Sequence, residues 1–79
     1  MDPKLNIKTF EQNMKNLEEI YNYKATKKQM ELYYKYLKNS FTDEDFELAC
    51  TSIILDEKFF PAVSVFIGHV PMTLAQKAF

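Results

Sequence analysis

The sequence predicts an all-α fold: a small bundle of four helices with short connections, forming a single domain over residues 1–79. Three observations predict it. Apolar residues recur at helical spacing in three successive segments. A threonine stands where it can cap each of those segments. One glycine and three prolines leave little material for hairpins or long loops. The only β-like run, Ala62 to Ile67, is short and has no partner strand.

The elements follow in order. Met1 to Lys8 read as a lead-in that frays. Thr9 with Gln12 matches a capping box, in which hydroxyl and amide satisfy orphan backbone donors. Phe10, Met14, Leu17, Ile20 and Tyr21 then share one face, which predicts a first helix over Phe10 to Tyr23. Thr26 and Gln29 repeat the capping pattern. Met30, Tyr33, Tyr34 and Leu37 form the next stripe, predicting a second helix over Lys27 to Lys38. Leu32 and Tyr36 lie one turn apart off that stripe and are expected to be partly exposed.

Thr42 caps the third helix, with Asp43, Glu44 and Asp45 at the positive end of its dipole. Phe41 and Phe46 occupy the positions of a hydrophobic staple. Phe46, Ala49, Cys50, Ile53 and Ile54 make its main stripe. Leu48 and Leu55 fall on the far side, which leaves room for a homodimer. Pro61 suits the first turn of a short fourth helix. Gly68-His69-Val70-Pro71 ends it, and Thr73 to Phe79 hold one more turn or fray.

Bulk composition narrows the function classes. Hydrophobic residues make up 47% and aromatics 15%, so the chain is foldable and not a disordered tail. A chain near this length buries only about 60% of its unfolded surface, so modest stability is expected. The net charge of −1 gives no overall pull on nucleic acid or anionic lipid. The distribution is less even. Five lysines stand against one glutamate from Lys24 to Lys38, and six acids against one lysine from Asp43 to Lys58. A dipolar surface follows, in which these neighbouring elements attract each other. Every basic residue is lysine, which removes the usual bidentate clamp for phosphate or carboxylate.

One cysteine excludes an internal disulfide and fits a reducing compartment. The first residues lack the apolar run of a signal peptide, and no stretch approaches the length of a membrane span. A cytoplasmic protein without membrane contact is expected.

No pattern for chemistry emerges. The cluster Asp43, Glu44, Asp45 and Glu47 lacks the glycine and ligand spacing of a calcium loop, and helix capping explains it. His69 stands alone, short of the three or four ligands zinc needs. Cys50 falls on an apolar stripe and reads as a buried, inert thiol. No phosphate-cradling glycine loop exists. The second and third helices invite comparison with a helix-turn-helix, but four acids would open the reading helix and repel phosphates. Nucleic-acid contact, if made, is weak and runs through Lys27, Lys28, Lys35 and Lys38. The expectation is a non-enzymatic domain, with no cofactor and no metal, that binds a protein partner. Leu32, Tyr36, Lys28 and Lys35 are its candidate contact residues.

A family resemblance supplies a partner. The run Tyr33-Tyr34-x-x-Leu37, then Phe46-x-x-Ala49-x-x-x-Ile53, then Lys58-Phe59-Phe60-Pro61 followed by Val63, Phe66 and Ile67, resembles the small phage proteins that load and inhibit replicative helicases. It covers roughly residues 33–67. The resemblance implies an all-α phage or prophage replication accessory protein that binds a hexameric replicative DNA helicase. Members of that family carry a flexible C-terminal tail used in helicase binding, and no long polar tail is seen here up to Phe79. The alternatives from other classes are a small host-takeover inhibitor, anti-CRISPR-like, acting by occlusion, and a weak nucleic-acid-binding module.

Overall fold

A computed structural model of the chain describes residues 4–69. Four helices form: α1 (Ile7–Tyr21), α2 (Lys27–Leu37), α3 (Asp43–Asp56) and α4 (Val63–Gly68). The described residues contain no strand, so the all-α bundle is observed. Helix α3 packs along α1, and α4 closes against both α2 and α3. The fraying expected at residues 1–3, the turn or fray expected over 73–79, and Val70 and Pro71 of the expected stop lie outside the described residues.

α2 and α3 begin where their local signals place them. Thr26 and Gln29 form a full capping box, with Gln29 N–H donating to Thr26 Oγ1 at 3.0 Å and Thr26 N–H to Gln29 Oε1 at 2.8 Å. Thr42 Oγ1 accepts from Asp45 N–H at 3.1 Å. The staple forms too: Phe41 and Phe46 are both buried, with ring centres 5.6 Å apart.

Both ends of α1 differ from expectation. Asn6, not Thr9, is the cap, and its side chain accepts from Lys8 N–H at 2.8 Å. Two long-range bonds fix this start. Asn6 N–H donates to Asp43 Oδ1 at 2.7 Å, and Leu5 N–H donates to the Lys38 carbonyl at 3.1 Å. Leu5 is fully buried, so residues 4–8 are part of the fold and not a frayed lead-in. At the other end Asn22 takes the left-handed conformation, φ 52°, which lets Tyr23 N–H return to the Glu18 carbonyl at 2.9 Å. The helix therefore stops at Tyr21 and not at Tyr23.

Two further corrections concern apolar phase and the fourth helix. Ile20 and Ile54, assigned to inward stripes, are exposed. Pro61 lies ahead of α4 and not within its first turn; Ala62 is the cap and makes no side-chain bond. The buried Pro61 gives its carbonyl to Tyr33 Oη at 2.9 Å.

The core is built on Phe10, Met14 and Leu17 from α1, Leu37 from α2, Phe46, Ala49, Cys50 and Ile53 from α3, and Phe66 from α4, with Leu5 and Phe41. Phe46 sits at its centre. Its ring lies 5.7 Å from Phe10, 5.6 Å from Phe41 and 5.5 Å from Phe66, so it links three elements within the usual range of aromatic pairing.

Candidate functional site

The anchoring of α2 decides what it shows to solvent. Tyr33 and Tyr34 reach inward and end in hydrogen bonds, to the Pro61 carbonyl at 2.9 Å and to the Leu5 carbonyl at 2.8 Å. Leu37 is fully buried. A helix held at 33, 34 and 37 must turn positions 28, 32, 35 and 36 outward. Leu32 is 38% exposed and Tyr36 is 58% exposed. Lys28 and Lys35 are exposed beside them, and the Lys35 ammonium stands 5.6 Å from the centre of the Tyr36 ring. The four expected contact residues thus form one face.

The expected attraction between the basic and acidic segments is not realised. Among the described residues no lysine lies within 4.0 Å of a carboxylate; the single acid–base contact of that range is the His69 ring with Glu57. α2 and α3 are neighbours in sequence, but α2 packs on α4 and α3 on α1. The two charged faces therefore look out separately.

On the opposite flank of α2 lies a groove of about 520 Å³, lined by Ile7, Phe10, Met30 and Tyr34 and rimmed by Lys27, Glu11 and Glu31. Sequence reasoning missed it because Ile7 fell in the supposed lead-in. With Asn6 as the cap, Ile7 joins α1 and forms one wall of the groove. The Lys58–Pro61 segment splits by residue. Phe59 is 81% exposed. Phe60 turns in, stacked on Tyr23 with centres 4.2 Å apart. The outer side of α3 adds Leu48, 60% exposed, and Leu55, 79% exposed.

His69 is not isolated. As the cap of α4 it places Nδ1 2.9 Å from Ser52 Oγ and Nε2 3.3 Å from Glu57 Oε2. Hydroxyl, imidazole and carboxylate in series resemble a nucleophile, a base and its orienting group. Acyl transfer needs more than that series, namely donors aimed at the developing oxyanion. Ser52 lies inside α3, where the peptide N–H groups are spent on carbonyls four residues back. The cluster acts as a tie that holds the end of α4 to α3.

Cys50 is buried and its thiol is pushed up to about 12, first by burial and then by the Glu47 carboxylate. A thiol held this high is not a nucleophile near neutral pH. Among the described residues no group of three or more His, Cys, Asp or Glu side chains is placed to hold a metal ion. No helix of the described residues is long and apolar enough to cross a membrane.

No known protein family, curated protein or solved structure matches the chain.

Proposed function

We propose that this chain is a non-enzymatic protein-binding module, and that its partner is a replicative DNA helicase, which it loads or inhibits as a phage or prophage replication accessory protein. The observation that carries the binding role is the outer face of α2. It holds Leu32 and Tyr36 in water, flanked by Lys28 and Lys35, neither of which has a carboxylate within 4.0 Å among the described residues. Exposed apolar groups ringed by cations are the composition of a contact patch. The helicase is supplied by the resemblance over residues 33–67. Its Lys58-Phe59-Phe60-Pro61 segment adds a second exposed aromatic in Phe59.

The test is capture from a host lysate with the intact chain as bait, followed by an ATPase assay on the captured helicase. Helicase recovery with altered ATPase activity supports the proposal. Leu32→Asp and Tyr36→Ala should each abolish capture while leaving the melting temperature unchanged. Unchanged capture by both variants would remove α2 from the contact. Recovery of a nuclease or other defence protein instead would replace the helicase reading with occlusion of that target. DNA binding that falls steeply with salt would point to the lysine face as a nucleic-acid contact.

A further inference from the structure

The outer sides of α2 and α3 are built to the same pitch with opposite charge. On α2, Lys28, Leu32 and Lys35 follow at four and then three residues, with Tyr36 alongside. On α3, Glu44, Leu48 and Thr51 repeat that spacing, and Leu55 extends it by one turn. Both rows face away from the core, and none of their charges is paired within the described part of the molecule. At 1.5 Å per residue the two helices are about 16 and 21 Å long, so one row can lie along the other.

We infer that the α2 face of one copy docks on the α3 face of a second copy, so that the chain self-associates head to tail. Charge selects this pairing over the symmetric ones. α3 on α3 would set Glu44 and its acidic neighbours against Asp56 and Glu57, or against themselves, with Lys58 the one nearby cation. α2 on α2 would set Lys28 and Lys35 of each copy against those of the other, with Glu31 the one nearby carboxylate. Of the three pairings, α2 on α3 sets the net positive face against the net negative one while Leu32 and Tyr36 cover Leu48 and Leu55. The contact is heterologous: each copy keeps one free face and the dimer keeps one of each kind, so association does not stop at two. Two short helices bury less than the roughly 1,600 Å² of a standard interface, so the association is weak. It also weakens with salt, because its charges stay near water.

This goes beyond the helicase reading and does not depend on it, and its test uses the pure full chain alone. Two double variants separate the faces: Lys28→Glu with Lys35→Glu, and Leu48→Asp with Leu55→Asp. Circular dichroism first confirms that both fold. Sedimentation velocity should show the wild type rising past dimer as concentration increases, and reverting at high salt. Each double variant alone should be monomeric, with association at least about tenfold weaker. An equimolar mixture should form a one-to-one dimer and stop there, because each variant retains the face the other lacks.

Three results would overturn the inference. A mixture that stays monomeric removes the α2-on-α3 contact. A lysine variant that associates like the wild type, beside a monomeric leucine variant, shows a symmetric α3 contact. A wild type monomeric at every concentration, with a leucine variant of lowered melting temperature, shows that the chain covers its own α3 face.

Discussion

The two faces of α3 use similar side chains for opposite ends. On the inner face Phe46, Ala49, Cys50 and Ile53 are buried, and Phe46 meets rings from α1, α4 and the turn before α3. On the outer face Leu48 and Leu55 stand in water among acids, and no other described element covers them. Leucine is as apolar as the inward residues, so hydrophobicity does not separate the faces; phase around the helix does. The inner face holds the fold together. The outer one contributes little to folding and is free to serve association.

The largest expected effect lies at the centre of the inner face. Phe46→Ala should cost about 3–5 kcal/mol, because three neighbouring rings lose their partner and the cavity cannot fully collapse. That is a large part of the stability of a small domain. Urea denaturation would measure it, and an unchanged midpoint would show that Phe46 is not the hub of the core.

Next comes a pH effect from the same face. Burial raises the Cys50 thiol from 9.0 to about 12, with the Glu47 carboxylate adding to it. The folded state therefore keeps its proton where the unfolded state loses it. This contribution is fully present below pH 9.0 and is lost as pH rises towards about 12. Tyr21 and Tyr33 act with the same sign above 10.0, since burial raises both, helped by Glu57 and Tyr23 respectively. Stability measured by urea should fall over this window. The fall should be shallower in Cys50→Ala, and an identical slope in that variant would exclude the thiol as a cause.

Both faces of α3 were legible in the sequence, because the signals are local, with the exception of Ile54, which was placed on the inner stripe and is exposed. Thr42, the acidic first turn and the Phe41–Phe46 staple lie within six consecutive residues and set the phase of everything after them. The exposure of Leu32 and Tyr36 followed in the same way from the phase of α2. What failed was tertiary. Thr9 and Gln12 match a capping box, but the helix is already running there, because Asn6 is fixed by Asp43, thirty-seven residues away. The groove beside Ile7 was lost with that boundary. The tie of His69 to Ser52 spans seventeen residues and two helices, which no local pattern encodes.

Asp43 and Glu44 stand side by side at the start of α3 but do different work. Both are exposed acids in the first turn of α3. Asp43 turns back to accept from Asn6 N–H at 2.7 Å and so joins the starts of α1 and α3. Asp43→Ala should cost about 1 kcal/mol, the size of a lost helix cap. Glu44→Ala gives up only a favourable place near the helix dipole, about 0.3–1 kcal/mol and reduced by salt. In high salt the two variants should differ clearly; equal melting temperatures there would mean the Asp43 bond does not hold α1 in place.

The smallest effect is the most diagnostic. Leu55 is 79% exposed, so truncation removes almost no buried surface, and alanine is the better helix former. Leu55→Ala should change monomer stability by no more than about 0.5 kcal/mol, measured at concentrations too low for self-association. The same substitution on the inner face, Ile53→Ala, removes a fully buried side chain and should cost about 2–5 kcal/mol. The two positions lie two residues apart on one helix and lose nearly the same atoms. A loss at Leu55 approaching that at Ile53 would mean that the outer face is covered within a single chain, and the division of α3 into a folding side and an associating side would fail.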